Sequence, residues 1–171
     1  MESRSEIIEP GILAGLIGGV AMALFAMIYA AAAGLGFWEP MQAIGATVSR
    51  ANMAEVGAGG ILVGIVFHLL VSIFFGVIFA FIMPRTVPPA VALALGLFAG
   101  MSTLVIMSLV IVPIENPSAR TSMIWGTAPG ALPVWVAWVM HLLYGAGLAL
   151  VPGLKRRIGG RVRPIAPRPA T

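Results

Sequence analysis

Four stretches of this chain, at about 12–35, 61–83, 91–112 and 134–154, are built almost wholly of apolar and small residues. Polar residues collect between and outside them. Each stretch approaches the ~20 residues that a helix rising 1.5 Å per residue needs to cross a ~30 Å hydrocarbon layer. Backbone amides in lipid find no water, so such a span has to be helical. The pattern predicts an all-α integral membrane protein. Its expected architecture is a four-transmembrane-helix up-down bundle over 11–154, with an N-terminal tail at 1–10 and a C-terminal tail at 155–171.

Within the runs, small residues recur at every fourth position. They read Gly11, Gly15, Gly19, Ala23 in the first and Gly60, Gly64, His68, Ser72, Gly76, Ala80 in the second. The third has Ala92, Gly96, Gly100; the fourth has Ala137, His141, Gly145, Ala149, Gly153. Ridges of this kind let membrane helices approach closely. Gly15, Gly19, Gly64, Ser72, Gly76, Gly96, Gly100 and Gly145 are therefore expected at helix contacts. The runs also resemble one another in pairs. Gly15-Leu16-Ile17-Gly18-Gly19 matches Gly96-Leu97-Phe98-Ala99-Gly100 at an offset of 81, and His68-Leu69-Leu70 matches His141-Leu142-Leu143 at an offset of 73. This predicts two similar helical hairpins in the same orientation, related by a pseudo-two-fold axis along the membrane normal.

The connections differ in length. Residues 84–89, with three prolines, form a tight turn, whereas 36–60 and 113–133 are longer. In the first long loop the spacing of Met41, Ile44 and Val48 predicts a short amphipathic helix lying at the membrane surface. Trp38, Trp125, Trp135 and Trp138 fall near one boundary, as interfacial anchors do.

Composition sharpens this picture. Hydrophobic residues make up 60 % of the chain and charged ones 9 %, and none of the ten basic and six acidic residues lies inside a run. Arg4, Arg85 and six tail residues (Lys155, Arg156, Arg157, Arg161, Arg163, Arg168) share one side, against Arg50 and Arg120 on the other. That bias predicts both termini in the cytoplasm. The tail is expected to be disordered and to contact anionic lipid headgroups rather than nucleic acid. No basic stretch followed by a small-residue cleavage motif occurs near the N-terminus, so the first span is expected to be retained.

The chemical inventory excludes most catalysis. Cysteine and aspartate are absent, and the glutamates (Glu2, Glu6, Glu9, Glu39, Glu55, Glu115) lie in tails or loops. A carboxylate relay through the spans has no members. A serine–histidine pair would lack its orienting acid. Gly57-Ala58-Gly59-Gly60 is not followed by the Lys-Ser/Thr of a phosphate loop. A non-catalytic protein is expected, a small subunit or accessory protein that packs against a larger membrane complex or its own copies. The two histidines leave an alternative open. His68 and His141 lie at one depth on repeat-related helices and could ligate a haem b iron from both sides. Arg50 and Arg120 would then meet its propionates, as in an electron carrier of a respiratory or photosynthetic complex. Equally, each histidine could hydrogen-bond across a helix contact. Two histidines alone leave a zinc ion short of ligands.

The Gly15–Gly19 run, Gly34-Leu35-Gly36 with Met41 and Gly45, and the pairs His68 with Gly76 and His141 with Gly145 resemble a family of small four-span bacterial membrane proteins of unknown function. The resemblance covers about 11–154. It implies the four-span architecture and a bacterial inner membrane, and it carries no activity.

Overall fold

The computed structural model describes residues 4–115 and 132–162, and every regular element among them is helical. They are α1 (Arg4–Ala32), α2 (Glu39–Ser49), α3 (Met53–Ile82), α4 (Pro89–Ile106), a π-helical turn (Met107–Ile111), α5 (Val112–Glu115), α6 (Val134–Leu148) and α7 (Val151–Val162). Four segments, Arg4–Ala32, Glu55–Ile82, Pro89–Ile114 and Val134–Gly159, are long and apolar enough to cross a membrane.

The helices overrun the apolar runs because helix formation does not stop where hydrophobicity does. α1 starts at Arg4, so most of the expected N-terminal tail is helical. α3 starts at Met53 and breaks at Gly57, whose φ of 48° and ψ of −146° suit only glycine. The C-terminal segment corrects the expectation more sharply. A disordered tail was expected from residue 155; instead α7 continues the line of α6 as far as Val162.

Glycines set the packing. A Cβ at Gly11 would meet Val77, and one at Gly15 would strike the Ser72 carbonyl, so α1 and α3 run antiparallel in backbone contact. α4 and α6 do the same, with Gly96 against Gly145 and Gly100 against the His141 carbonyl. A third contact joins α1 to α6, where Gly147 faces the Gly18 main chain. Further along that contact, Tyr29 meets Trp135 edge-on, with ring centroids 5.3 Å apart at 89°. The backbones of α3 and α4, which follow one another in the chain, scarcely approach. Beside them, Phe79, Ala80, Met83, Tyr144, Leu148, Val151 and Ala14 form the apolar core, with Phe75 and Ala99 against it.

α2 covers Met41, Ile44 and Val48, where the sequence predicts a short helix. Gly45 lies on the Gly60 carbonyl and Gly64 on the Met41 carbonyl, so α2 stands antiparallel alongside the start of α3. Met41 is buried, whereas Ile44 and Val48 are half-buried.

Candidate functional site

Where α1, α3 and α6 meet, glycines admit polar side chains into the packing. His68 projects from α3 and its Nε2–H donates to the Gly19 carbonyl of α1, at 2.9 Å. A carbonyl only accepts, so this bond fixes the ring nitrogen that carries the proton. One turn on, Ser72 Oγ donates to the His68 carbonyl at 2.8 Å. The Ser72 carbonyl in turn accepts from the Tyr144 hydroxyl of α6, at 2.7 Å. Gly18 and Gly19 make the room, since a Cβ on either would come within 2.6 Å of Tyr144 or Ser72.

His141 is buried one turn from Tyr144, but its Nδ1–H donates to Ala137 within its own helix, at 2.8 Å. The two histidines are therefore not equivalent. His68 ties two helices together; His141 is oriented by one. On α4, Ser102 and Thr103 likewise donate to Phe98 and Ala99 carbonyls one turn back. Ser108, in the π-helical turn, is buried with a hydroxyl that has no partner among the described residues. Among those residues no cluster of three or more His, Asp or Glu stands ready for a metal ion.

The contact glycines named from the sequence are distributed over three pairs of helices. Gly15, Gly19 and Gly76 lie between α1 and α3; Gly96, Gly100 and Gly145 lie between α4 and α6; Gly64 serves α2. Arg50 is exposed and caps α2 in the left-handed region (φ 53°), with its backbone N–H on Ala46 and Thr47. Arg120 lies outside the described residues, as does Trp125. Trp38, Trp135 and Trp138 are about half exposed.

A second polar group, at the turn joining α3 to α4, was not anticipated. Lys155 of α7 is 2 % exposed, and its Nζ donates to the Met83 carbonyl at 2.8 Å. Arg156 donates to the Arg85 carbonyl at 2.7 Å, and Arg85 pairs with the buried Glu6 of α1 at 3.6 Å. Gly159 is what brings α7 this close, because a Cβ there would sit 2.7 Å from Glu6 Oε1. In the sequence these residues read only as charges flanking spans. The available signal was the return of Leu154, Ile158 and Val162 at helical spacing through the basic stretch. Elsewhere, burial raises the Glu39 carboxyl above its ordinary value.

Fold and site together define an all-helical protein with four helices suited to a membrane. No protein family, curated protein or solved structure matches the chain.

Proposed function

We propose that this is a non-catalytic integral membrane protein, a small subunit or accessory protein that packs against a larger membrane complex or its own copies. One observation carries the reading. The polar side chains at the centre of the helices spend their hydrogen bonds on main-chain carbonyls of the fold itself. Such bonds order helices and offer a substrate little. The outward faces are long and apolar, including Leu62, Leu70, Phe74, Phe81 and Ile82 on α3 and Phe98 on α4. Solubilisation in mild detergent followed by sizing tests the proposal. A complex or oligomer is expected, and a strictly monomeric species with nothing co-purifying would defeat it.

In this reading the four spans form an up-down bundle in a bacterial inner membrane, with both termini in the cytoplasm. The two hairpins are copies of one unit. Support for the duplication comes from packing register: the offsets of 81 and 73 residues carry the contact of Gly15 with Ser72 onto that of Gly96 with Gly145. Exposed Arg4, Arg156 and Arg157 face anionic headgroups. Membership of the four-span family of unknown function rests on the short glycine and histidine motifs.

The haem b reading is the second, and His141 favours it. An Nδ1–H held by a carbonyl leaves Nε2 as acceptor, the arrangement metal-ligating histidines adopt. His68 supports it less, because ligation through Nε2 needs the bond to Gly19 broken and α1 moved off α3. An absorption spectrum after expression with ample haem separates the readings. A Soret band that disappears with His141→Ala would establish the second.

A further inference from the structure

We propose that a groove beside α2 and α3 holds one acyl chain of a zwitterionic phospholipid, whose headgroup is taken by Arg50 and Glu55. The proposal rests on the reading of the chain as a membrane protein and goes beyond it in naming a bound lipid.

The groove follows one side of α3. Leu62, Val63, Val66, Phe67 and Leu70 line it together with Val48 of α2, and it encloses about 380 Å³. On α3 these positions recur three and four residues apart, so they form one helical stripe. Gly45 and Gly64 press α2 onto α3, which raises a wall beside that stripe. From Leu62 to Leu70 the stripe is about 12 Å long at 1.5 Å per residue. Spread over that length, the volume gives a cross-section of about 30 Å². A helix about 10 Å across needs about 80 Å². A partner helix is therefore too wide to enter, and a single hydrocarbon chain is not. Every lining side chain is apolar, as that occupant requires.

Charge marks one end of the groove. α2 runs antiparallel to α3, so Val48 lies towards the start of α3. Two residues on, exposed Arg50 ends α2, its backbone N–H bound to the Ala46 and Thr47 carbonyls. Glu55 is exposed on the first turn of α3, and the Asn52 side-chain amide donates to its carboxylate at 3.0 Å. A cation and an anion thus stand where α3 passes from polar to apolar sequence, the order in which a phospholipid passes from headgroup to chain. A guanidinium matches a phosphate in charge and in the fork of its donors. The carboxylate matches an ammonium. An anionic headgroup would instead set like charge against Glu55.

Protein purified in mild detergent and washed free of lipid is titrated with phosphatidylethanolamine or phosphatidylglycerol, and bound lipid is counted by native mass spectrometry. Saturable binding of one phosphatidylethanolamine per chain is expected, tighter than that of phosphatidylglycerol. Val63→Trp, at a partly exposed position, fills the groove and should abolish saturable binding. Arg50→Gln should weaken it about tenfold or more, the effect of one charge-assisted hydrogen bond. Leu24→Trp, exposed on α1 away from the groove, should leave it unchanged. Equal binding by the wild type, Val63→Trp and Arg50→Gln overturns the site, as does a preference for phosphatidylglycerol. A dimer that Val63→Trp splits would give the groove to a second copy and overturn it too. A chain that needs detergent yet takes up no lipid saturably fails this proposal alone, whereas one dispersed without detergent fails the membrane reading.

Discussion

Along α1 and α6 the main chains touch at Gly18 and Gly147, with Tyr144 reaching across to Ser72 on α3. Along α3 and α4 the main chains stay apart. If the hairpins are copies, these two seams are equivalents of each other, and the register shows what separates them. The offsets place Ala99 where the first seam has Gly18, and Phe74 where it has Gly147. Phe74 is 58 % exposed and points away from any such contact. Neither position on the second seam keeps the glycine that lets the main chains touch on the first. A duplicated unit can thus keep its internal packing twice over while its outer faces diverge through very few positions.

The largest expected effect comes from forcing the tight seam to resemble the loose one. Gly147→Leu would drive a side chain into the Gly18 main chain, where neither helix has a flexible group to give way. A loss of about 3 kcal/mol or more is expected, read by unfolding in denaturing detergent. The reverse comparison, Phe74→Ala on the loose seam, should stay within about 0.5 kcal/mol because the ring is largely outside the packing. Equal costs at the two sites would remove the distinction between the seams.

Next comes the contact that holds the base of the loose seam. Lys155→Met keeps the buried volume but leaves the Met83 carbonyl unpaired, costing about 1–3 kcal/mol in the same assay. His68→Phe, which keeps a ring and loses the bond to Gly19, should cost about 0.6–1.7 kcal/mol. His141→Phe breaks only a bond within one helix and should cost less. If His141 proves the costlier, the helix-tying role assigned to His68 is wrong.

The smallest effect belongs to Glu39, at the start of α2. Its carboxyl is raised from 4.5 by burial, so the fold disfavours its charged form. The folded state then holds its proton longer than the unfolded chain does. Stability contributed here is greatest below 4.5 and declines as pH rises through the window above it. Glu39→Gln should flatten that slope in thermal melts. A slope that persists unchanged assigns it elsewhere.

Much of this was legible in the sequence. Apolar length located the four long helices, and the every-fourth-residue ridges picked out the glycines that meet other main chains. Both signals are strong for the same reason: in an apolar segment, length and side-chain size are nearly the only variables. Partner choice was not legible, since a ridge such as Gly60, Gly64 says only that something comes close, and here it is α2. The histidines looked equivalent because depth and spacing match, yet hydrogen-bond direction depends on which carbonyl lies across the contact. Lys155, Arg156, Arg85 and Glu6 reach partners 70 or more residues away in three contacts, and charge counting assigns such residues to sides of a membrane without revealing that they meet.

The bond from Lys155 to Met83 also bears on how the polypeptide is assembled. Its acceptor is made 72 residues before its donor. Whatever order the spans take during synthesis, the end of the first hairpin stays uncapped until α7 emerges. During synthesis the turn between Met83 and Pro89 therefore stays unfastened for as long as α4 and α6 are being made, and a protease that senses a loose turn would have that interval in which to act.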